Sequence, residues 1–594
     1  MAAAAPSTAC IDFADPNDAG APRLRCAFGQ PQRILVAQTP GQVRPVLDAV
    51  QAAAEQGQWC VGFLRYEAAC AFDAALTTRA ADGPLAWFAV YDEALPWPPH
   101  DPVVPPATVH WHTGMDRPHF DTALAAIDKA IRAGDVYQVN FTAPLVGKLV
   151  HPGTASLASQ ALFAALQRAQ PGGYAAWLDT GHEQVLSVSP ELFFHWQAGH
   201  LLTRPMKGTA ARGHTPAEDA RQAQTLQTSA KERSENVMVV DMLRNDVSRV
   251  AQPFSVQVPR LFHTEALASV WQMTSDVTAS TRADCTLAEV FAALFPCGSV
   301  TGAPKVKAMQ LIDALESAPR GVYCGALGVV RPSPQGIVAT FNVPIRTVTV
   351  RQSVAQCSIG SGITADATAD GEWREWQHKR AFVDRASQPF ELLETLALVN
   401  GHYRHAPLHL ARMARAAAHF GFEYVERSNG AAAQALAALL VRYPQGAWRI
   451  RLLVDRHGLA RAQAFALPES TQPVKLQLAS RPLLEAHSEF TRFKTTRRAH
   501  YDAFTPTEPG VFDTVLWNEQ REITECTRGN VAMLVKGCWV TPPLACGLLG
   551  GVARALALQS GQLVEKVVRV DELPDVQEWA FLNSLRGWIQ AQKV

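Results

Sequence analysis

The chain has 594 residues, 48% of them apolar, and its 54 Lys and Arg are balanced by 54 Asp and Glu. That length exceeds one ordinary domain and predicts two or more. With no net charge there is no overall field to draw in nucleic acid or an anionic membrane, so neither is an expected partner. No apolar run is long enough to cross a bilayer, and MAAAAPSTACIDFADPND lacks the basic start and apolar stretch of a secretory signal. The eleven cysteines are scattered, odd in number and without a CxxC pair. That speaks against a zinc site or a disulfide framework and suits a reducing cytoplasm.

In chain order, ILVAQTP and WCVGFLRYEAA read as strands and VRPVLDAVQAAAEQ as a helix. The Pro-rich run Leu95 to Ala107 breaks the pattern and is expected to be a connection. HFDTALAAIDKAIRAG has helical periodicity, and DVYQVNFTAPLVGKL reads as a strand. A long helix is predicted from Ser234 through ENVMVVDMLRNDVSRV. Between Arg320 and Ala365, GVYCGALGVVR, IVATFNVPIRTVTV and VAQCSIGSGI are three strand-like runs joined by PSPQG and RQS, which predicts an antiparallel meander. GEWREWQHKRAFVDRA then reads as a helix. The pattern restarts near Arg385 to Phe390 with FELLETLALVNGHYR and a helical HLARMARAAAHFGF. The expected organisation is 1–110, 111–386 and 387–594, in an α/β (α+β) architecture.

Two short patterns suggest chemistry. Glu232 and Glu235 stand three apart in AKERSENVMVVDM, and Glu372 and Glu375 repeat the spacing in GEWREWQHKRAF, with Lys379 one turn further on. On helices each pair shares one face. Two such helices could hold a hard divalent cation such as Mg²⁺; taken singly, each pair also fits an exposed helix face. FPCGSVTGAPKVKAM is a Gly-rich turn with Pro304 placed for a first helical turn, a start whose N–H groups bind anions. Arg346 ends the apolar alternation of FNVPIRT, and either forks a carboxylate in a cleft or makes a rim salt bridge. Gly360 and Gly362 in SIGSGITAD allow backbone to approach a ligand, or form a bulge or turn. In TRPMKGTAAR (Thr203 to Arg212), Lys207 sits between Pro205 and Gly208. Such a turn can hold a side chain over a pocket, or leave a solvated surface lysine.

DVYQVNFT, SPELFF, PMKGTA, KERSENVMVVDMLRND, FPCGSVTGAPKVKAM, GVYCGALG, IGSGITAD and EWQHK occur together and in order. The stretch from about 120 to 383 resembles the chorismate-utilising enzymes: anthranilate synthase component I, aminodeoxychorismate synthase component I, isochorismate synthase and salicylate synthase. The resemblance implies two β-sheets packed face to face with helices outside, and Mg²⁺ bridging the ring carboxylate of chorismate. It implies that Glu235 and Glu375 hold the metal, while Glu232 and Glu372 complete its shell or move protons. Tyr323, Arg346, Gly360, Gly362 and Lys379 would grip carboxylates. Ser299, Gly208 and Thr209 would contact substrate. At the place of Lys207 the anthranilate-type enzymes carry a small residue and the aminodeoxychorismate synthases carry lysine. That resemblance implies a covalent lysine adduct, formed by an amine whose pKa burial and a divalent cation would lower despite the glutamates. Gln272, in VWQMTS, departs from the histidine of many relatives; it cannot relay a proton and is expected to position instead. No glutaminase signature is present, so a separate glutamine amidotransferase subunit is implied as the ammonia source.

The last 200 or so residues carry HLARM, FTRFKTTRRAHYDAF, REITECTRGNVAMLVKGCWVTPPLACGLLGGVAR and FLNSLRGW. They resemble the fold-type IV pyridoxal phosphate enzymes, which include branched-chain and D-amino-acid aminotransferases and aminodeoxychorismate lyase. The resemblance implies Lys494 as the Schiff-base lysine and proton carrier, and Glu525 as partner of the pyridine nitrogen. It implies the backbone of Gly551, Val552 and Ala553 as a phosphate cradle, with Arg412 as countercharge. A homodimer through this domain would follow. NSLRG (Asn583 to Gly587) is similar to the end of the lyases. The joint expectation is chorismate amination followed by pyruvate elimination to 4-aminobenzoate, for folate synthesis. The rival expectations are an anthranilate synthase component I fused to an aminotransferase, and a C-terminal module that only binds partners.

Overall fold

A computed structural model describes residues 7–18, 20–98, 105–211, 216–266, 270–427, 429–468 and 472–594. Arg212, at the end of the Lys207 motif, and 99–104 of the Pro-rich connection lie outside the described residues. The chain divides into two compact units, Met1–Pro389 and Phe390–Val594.

The first unit is built on two ten-stranded sheets. One runs from Gly302–Ala303 through Gln138–Val150, Val354–Ile363, Thr347–Arg351, Gln184–Ser189 and Tyr174–Asp179 to Ala9–Phe13 and beyond. The other runs from Met206–Ala211 through Val270–Ser280, His200–Arg204, Leu192–Gln197, Gly336–Asn342 and Ala326–Ser333 to Trp59–Leu64 and its neighbours. Strands from before residue 110 therefore lie in both sheets. The sheets pack face to face. Ile11, Phe28, Tyr174 and Leu178 of one meet Phe63, Trp87, Leu202 and Leu327 of the other in a single buried cluster. Alternation assigns the faces: in Trp59–Leu64, Val61 and Phe63 point to the partner sheet, and Cys60 and Leu64 point outward to helices. A strand covered on both faces has to be apolar throughout, as WCVGFL is.

The outer faces carry helices. Pro40–Glu55, Ala230–Ser248 and Leu287–Leu294 cover the second sheet. Arg117–Arg132, Ala155–Ala169, Lys305–Leu315 and Ala369–Ser387 cover the first. The long helix expected from Ser234 starts a turn earlier, because the Ser229 side chain caps it by accepting from the Glu232 N–H. The Lys305–Leu315 helix has Pro304 at its cap rather than in its first turn. WCVGFLRYEAA is strand only to Leu64. Tyr66–Ala71 coils into a 3₁₀ turn, held where Glu67 Oε1 accepts from the backbone N–H groups of Arg320 and Gly321.

The expected meander is corrected. IVATFNVPIRTVTV is two strands in different sheets, Gly336–Asn342 in the second and Thr347–Arg351 in the first. The chain crosses between layers at Val343–Arg346. Its apolar character looks continuous because both strands are covered on both faces.

The second unit has a four-stranded sheet ordered His402–Tyr403, Leu392–Val399, Ala447–Val454, Ala460–Ala466, packed under the helices Ala406–Phe420 and Ala431–Arg442. A second, eight-stranded sheet includes Ile523–Cys526, Val511–Trp517, Val576–Asn583 and Asn530–Val535. Among the described residues no helix is long and apolar enough to cross a membrane. All eleven cysteines are free thiols.

Phe291 is fully buried and meets the rings of Phe194 and Phe341 at 5.1 and 5.0 Å. Phe291→Ala is expected to lower the unfolding free energy of the first unit by about 3–5 kcal/mol. Urea denaturation measures it; a change below about 1 kcal/mol would show that this aromatic cluster does not anchor the helix layer.

Candidate active sites

Two chain crossings between the sheets run side by side and carry charged residues into the interior. In one, Gln184–Ser189 passes through Pro190 and Glu191 to Leu192–Gln197. In the other, Gly336–Asn342 passes through Arg346 to Thr347–Arg351. Backbone bonds lace them together, Val343 N–H to Glu191 O (3.1 Å) and Val188 N–H to Arg346 O (3.1 Å). Ser189 Oγ donates to Val343 O at 2.6 Å. Arg346 adopts φ +49°, a left-handed backbone that a non-glycine residue adopts only when its surroundings impose it. Its Nη1 is buried without a hydrogen-bond partner, and no carboxylate pairs with it among the described residues. Burial alone pulls its guanidinium down to about 10. A buried, unpaired guanidinium is costly unless an anion arrives to meet it.

Lys207 enters from the edge strand Met206–Ala211. Its Nζ lies 3.1 Å from Glu235 Oε2, on the Ala230–Ser248 helix. Across the site is Gly362: a Cβ there would lie 2.7 Å from both Lys207 Nζ and Gln138 Nε2. Gln138 is buried, and among the described residues neither end of its carboxamide has a partner. Burial pushes the Lys207 pKa down, but Glu235, Glu375 and Glu372 outweigh it, and the net direction is up. The expected depressed amine is therefore not produced by the protein groups, which hold the proton on.

The carboxylates arrive from two helices as the spacing implies. On Ala369–Ser387, Glu375 Oε1 lies 2.7 Å from Lys379 Nζ, which also donates to Gly360 O at 3.0 Å. Glu372 Oε2 accepts from Ser361 Oγ at 2.5 Å, and Ser361 Oγ accepts from Trp376 Nε1 at 3.0 Å. Glu232 is raised by burial and by Glu235, and Glu372 by burial and by Glu375. Glu375 is held low: Lys379 and Lys207 outweigh its burial. Among the described residues no three His, Cys, Asp or Glu side chains form a ready-made ligand set. The donors are all carboxylate oxygens in surplus, which fits Mg²⁺, an ion needing one or two of them besides water and substrate.

Sequence reasoning missed Glu191. It is buried, accepts from Ser299 Oγ at 2.6 Å, and burial pushes its pKa up to about 7. Lys207 and Lys379 both act on it electrostatically. A signal existed, since an acid inside the apolar run SPELFFHW has to be either paired or functional. The Gly-rich turn thus contributes Ser299 to this carboxyl. Gly208 packs against Glu232, where a Cβ would fall 2.8 Å from its Oε2. Thr209 Oγ1 donates to Gln272 Oε1 at 3.2 Å. Tyr323 is buried on a turn anchored by Arg320, which is bonded to Glu316, Val300 O and Asn140 O. Among the described residues no hydrogen bond joins Tyr323 to Lys207, Arg346 or Lys379.

In the second unit Lys494 follows the short helix Glu489–Arg492, and its backbone oxygen accepts from Leu393 N–H at 3.1 Å. Its amine has no ion pair among the described residues; burial, then Arg498 and Arg412, pull it down to about 7. Glu525 is buried and raised to about 7 by that burial. Tyr501 Oη (2.6 Å) and Leu549 N–H (3.1 Å) both donate to its Oε1. Leu549 belongs to the GLLGG turn, and Gly551 caps the helix Val552–Gln559. A Cβ on Gly551 would fall 2.0 Å from Asn530 Oδ1. Arg412 is not a free countercharge. Its Nε and Nη2 fork Glu394 at 2.8 and 2.6 Å, and its Nη1 donates to Gly550 O at 3.0 Å. Glu394 also bonds His409, and despite its burial the Arg412 guanidinium holds it down at about 2. The pair anchors the turn and leaves charge binding chiefly to backbone N–H groups. A buried amine near neutrality, a buried carboxyl and a helix start fit pyridoxal phosphate.

A sequence model of the family "chorismate binding enzyme" matches residues 20–385, and one of "amino-transferase class IV" matches 391–594. Over 284 residues the chain is 38% identical to aminodeoxychorismate synthase component 1 of Salmonella typhimurium, covering 48% of this chain and 60% of that protein. It is 34% identical over 271 residues to anthranilate synthase component 1 of Aquifex aeolicus, covering 46% and 53%. The chain spans 57–60% of the length of the first such relatives. The solved anthranilate synthase component I of Streptococcus pneumoniae superposes with a TM-score of 0.52 at 21% identity, covering 64% of this chain and 94% of that one, which shows the shared fold. The crossings that carry Glu191 and Arg346, the Lys207 strand and both glutamate helices all fall inside the matched span, and the chain belongs to the chorismate binding enzymes.

Proposed function

We propose that the first unit aminates chorismate to 4-amino-4-deoxychorismate and that the second eliminates pyruvate from it to give 4-aminobenzoate. The observation that carries the reading is the Lys207 amine, seated between Glu235 and Gly362 and beside the unpartnered carboxamide of Gln138. Chorismate has two carboxylates. Arg346 would fork one, which would satisfy its orphaned Nη1. Glu235 and Glu375, with Glu232 and Glu372, would hold Mg²⁺, which supplies positive charge opposite the other carboxylate.

Lys207 must give up a proton before it attacks. Its amine then bonds to ring carbon 2, the π electrons shift, and the C4–O bond breaks. Glu191, a carboxyl with a pKa near 7, is suited to give the departing hydroxyl its proton. Ammonia next bonds to C4, the electrons shift back, and the C2–N bond to Lys207 breaks. A tethered amine acts at high effective concentration, which is the advantage of the detour. Gln138, with both amide ends unpaired beside Lys207, is placed to orient ammonia. Relatives named as a component 1 support a separate glutaminase as the source.

Pyridoxal phosphate, when bound in the second unit, supplies an electron sink. Glu525 would face its ring nitrogen, and the Gly551–Ala553 backbone its phosphate. Lys494, with an amine near neutrality, removes the C4 proton as the C3–O bond to the enolpyruvyl group breaks. The ring becomes aromatic, which drives the step. The alternative of anthranilate synthesis is disfavoured by Lys207, and that of a mere binding module by the buried Lys494 and Glu525.

With chorismate, Mg²⁺ and ammonium, Lys207→Ala is expected to lose amination on the order of 10³-fold or more. Full-speed turnover, or a product with nitrogen ortho to the carboxylate, sinks the proposal; chromatography separates the isomers. Arg346→Gln is expected to lower kcat/KM for chorismate on the order of 10²-fold, seen mainly as a raised KM. An unchanged KM removes Arg346 from the substrate's grip. Lys494→Ala is expected to be colourless with pyridoxal phosphate and to release the aminated dicarboxylate without pyruvate. Pyruvate formation at the wild-type rate, followed by coupled lactate dehydrogenase, would contradict the assignment.

A further inference from the structure

The strand that carries Lys207 does not pair regularly. Met206 lies opposite Thr274 and Thr209 opposite Gln272, so the two residues between them, Lys207 and Gly208, face only one on Val270–Ser280. This is a β-bulge, and Gly208 takes φ +96° within it. The bend is what points the lysine into the site rather than along the sheet edge. A bulge also removes local ladder bonds. Gln272 replaces them with its side chain. Its Nε2 donates to Gly208 O at 2.7 Å, and its Oε1 accepts from Thr209 Oγ1 at 3.2 Å. The carboxamide is buried, and its two ends are both used.

We propose that Gln272 is a positioning residue for amination, clamping the bulge so that the Lys207 amine is held at the reacting ring. A carboxamide suits the task for a physical reason. It offers one donor and one acceptor side by side and does not ionise, so the clamp keeps its polarity whatever charge passes through the acidic site next to it. A carboxylate in its place would set oxygen against the Gly208 carbonyl. A thioether would fill the volume and make neither bond. The clamp never touches the substrate; it acts through the placement of Lys207, to which rate is steeply sensitive.

This inference rests on the proposed role of Lys207, and the test separates the two. The full chain is assayed with chorismate, Mg²⁺ and saturating ammonium as Gln272→Met, Gln272→Glu and Lys207→Ala, and hydrogen exchange is followed over Met206–Ala211. Gln272→Met is expected to lower kcat on the order of 10²-fold with KM for chorismate within about threefold, and to speed exchange in that strand alone. Gln272→Glu is expected to do the same, which keeps the inference testable if the methionine variant fails to fold. A kcat within about threefold of wild type, or a loss expressed wholly in KM, overturns it. If Lys207→Ala still aminates, the proposed chemistry fails on its own, and unchanged exchange at Met206–Ala211 in the Gln272 variants then overturns the clamp as well.

Discussion

The first unit is organised around a local excess of negative charge. Two helices on opposite sheets each present a pair of glutamates, and a fifth carboxyl, Glu191, is buried nearby. Such a cluster persists only if cations occupy it. Lys207 and Lys379 do so in part, through Glu235 and Glu375. Burial first, and a neighbouring glutamate after it, raise Glu232 and Glu372, which lie beside these pairs. The same constraint explains the glycines. A Cβ on Gly362 would push the Lys207 amine and the Gln138 carboxamide aside, and Gly208 takes φ +96° against Glu232.

Buried arginines separate scaffold from site. Arg320 is satisfied four ways, by Glu316 and by backbone oxygens of Val300 and Asn140, and so fastens the Tyr323 turn. Arg412 is likewise spent, on Glu394 and Gly550. Arg346 has a buried nitrogen without a hydrogen-bond partner among the described residues and a backbone in a strained region. A charge that the fold pairs contributes order. A charge that the fold buries and leaves unpaired is a binding site for something of opposite sign.

The two lysines are tuned in opposite directions by the same physics. Both are buried, which favours the neutral amine. Around Lys207 the neighbours are carboxylates, and they reverse the effect; around Lys494 they are arginines, and they add to it. Lys494 is therefore ready to exchange a proton near neutrality. At Lys207 the carboxylates instead favour the ammonium, and under the proposed reaction positive charge brought to the acidic cluster would favour its release as the free amine.

Much of this was legible in the chain alone. The paired glutamates at helical spacing, the lysine between proline and glycine, the order of the motifs and the Lys494–Glu525–Gly-rich series are local patterns, and local patterns survive in one dimension. So were the outer helices and most strands, since burial writes its period into the sequence. The layer change at Val343–Arg346 was not, because a strand covered on both faces reads the same in either sheet. Glu191 escaped for a related reason: one acid in an apolar run shows that something must pair with it, not what. Nor could the amine pKa values be reckoned, as they depend on groups far apart in the chain. Residue identity determined which chemistry was available. Only the tertiary packing, which sets charges distant in the chain within a few ångströms in a low dielectric, decided which of those groups meet and which way each is tuned.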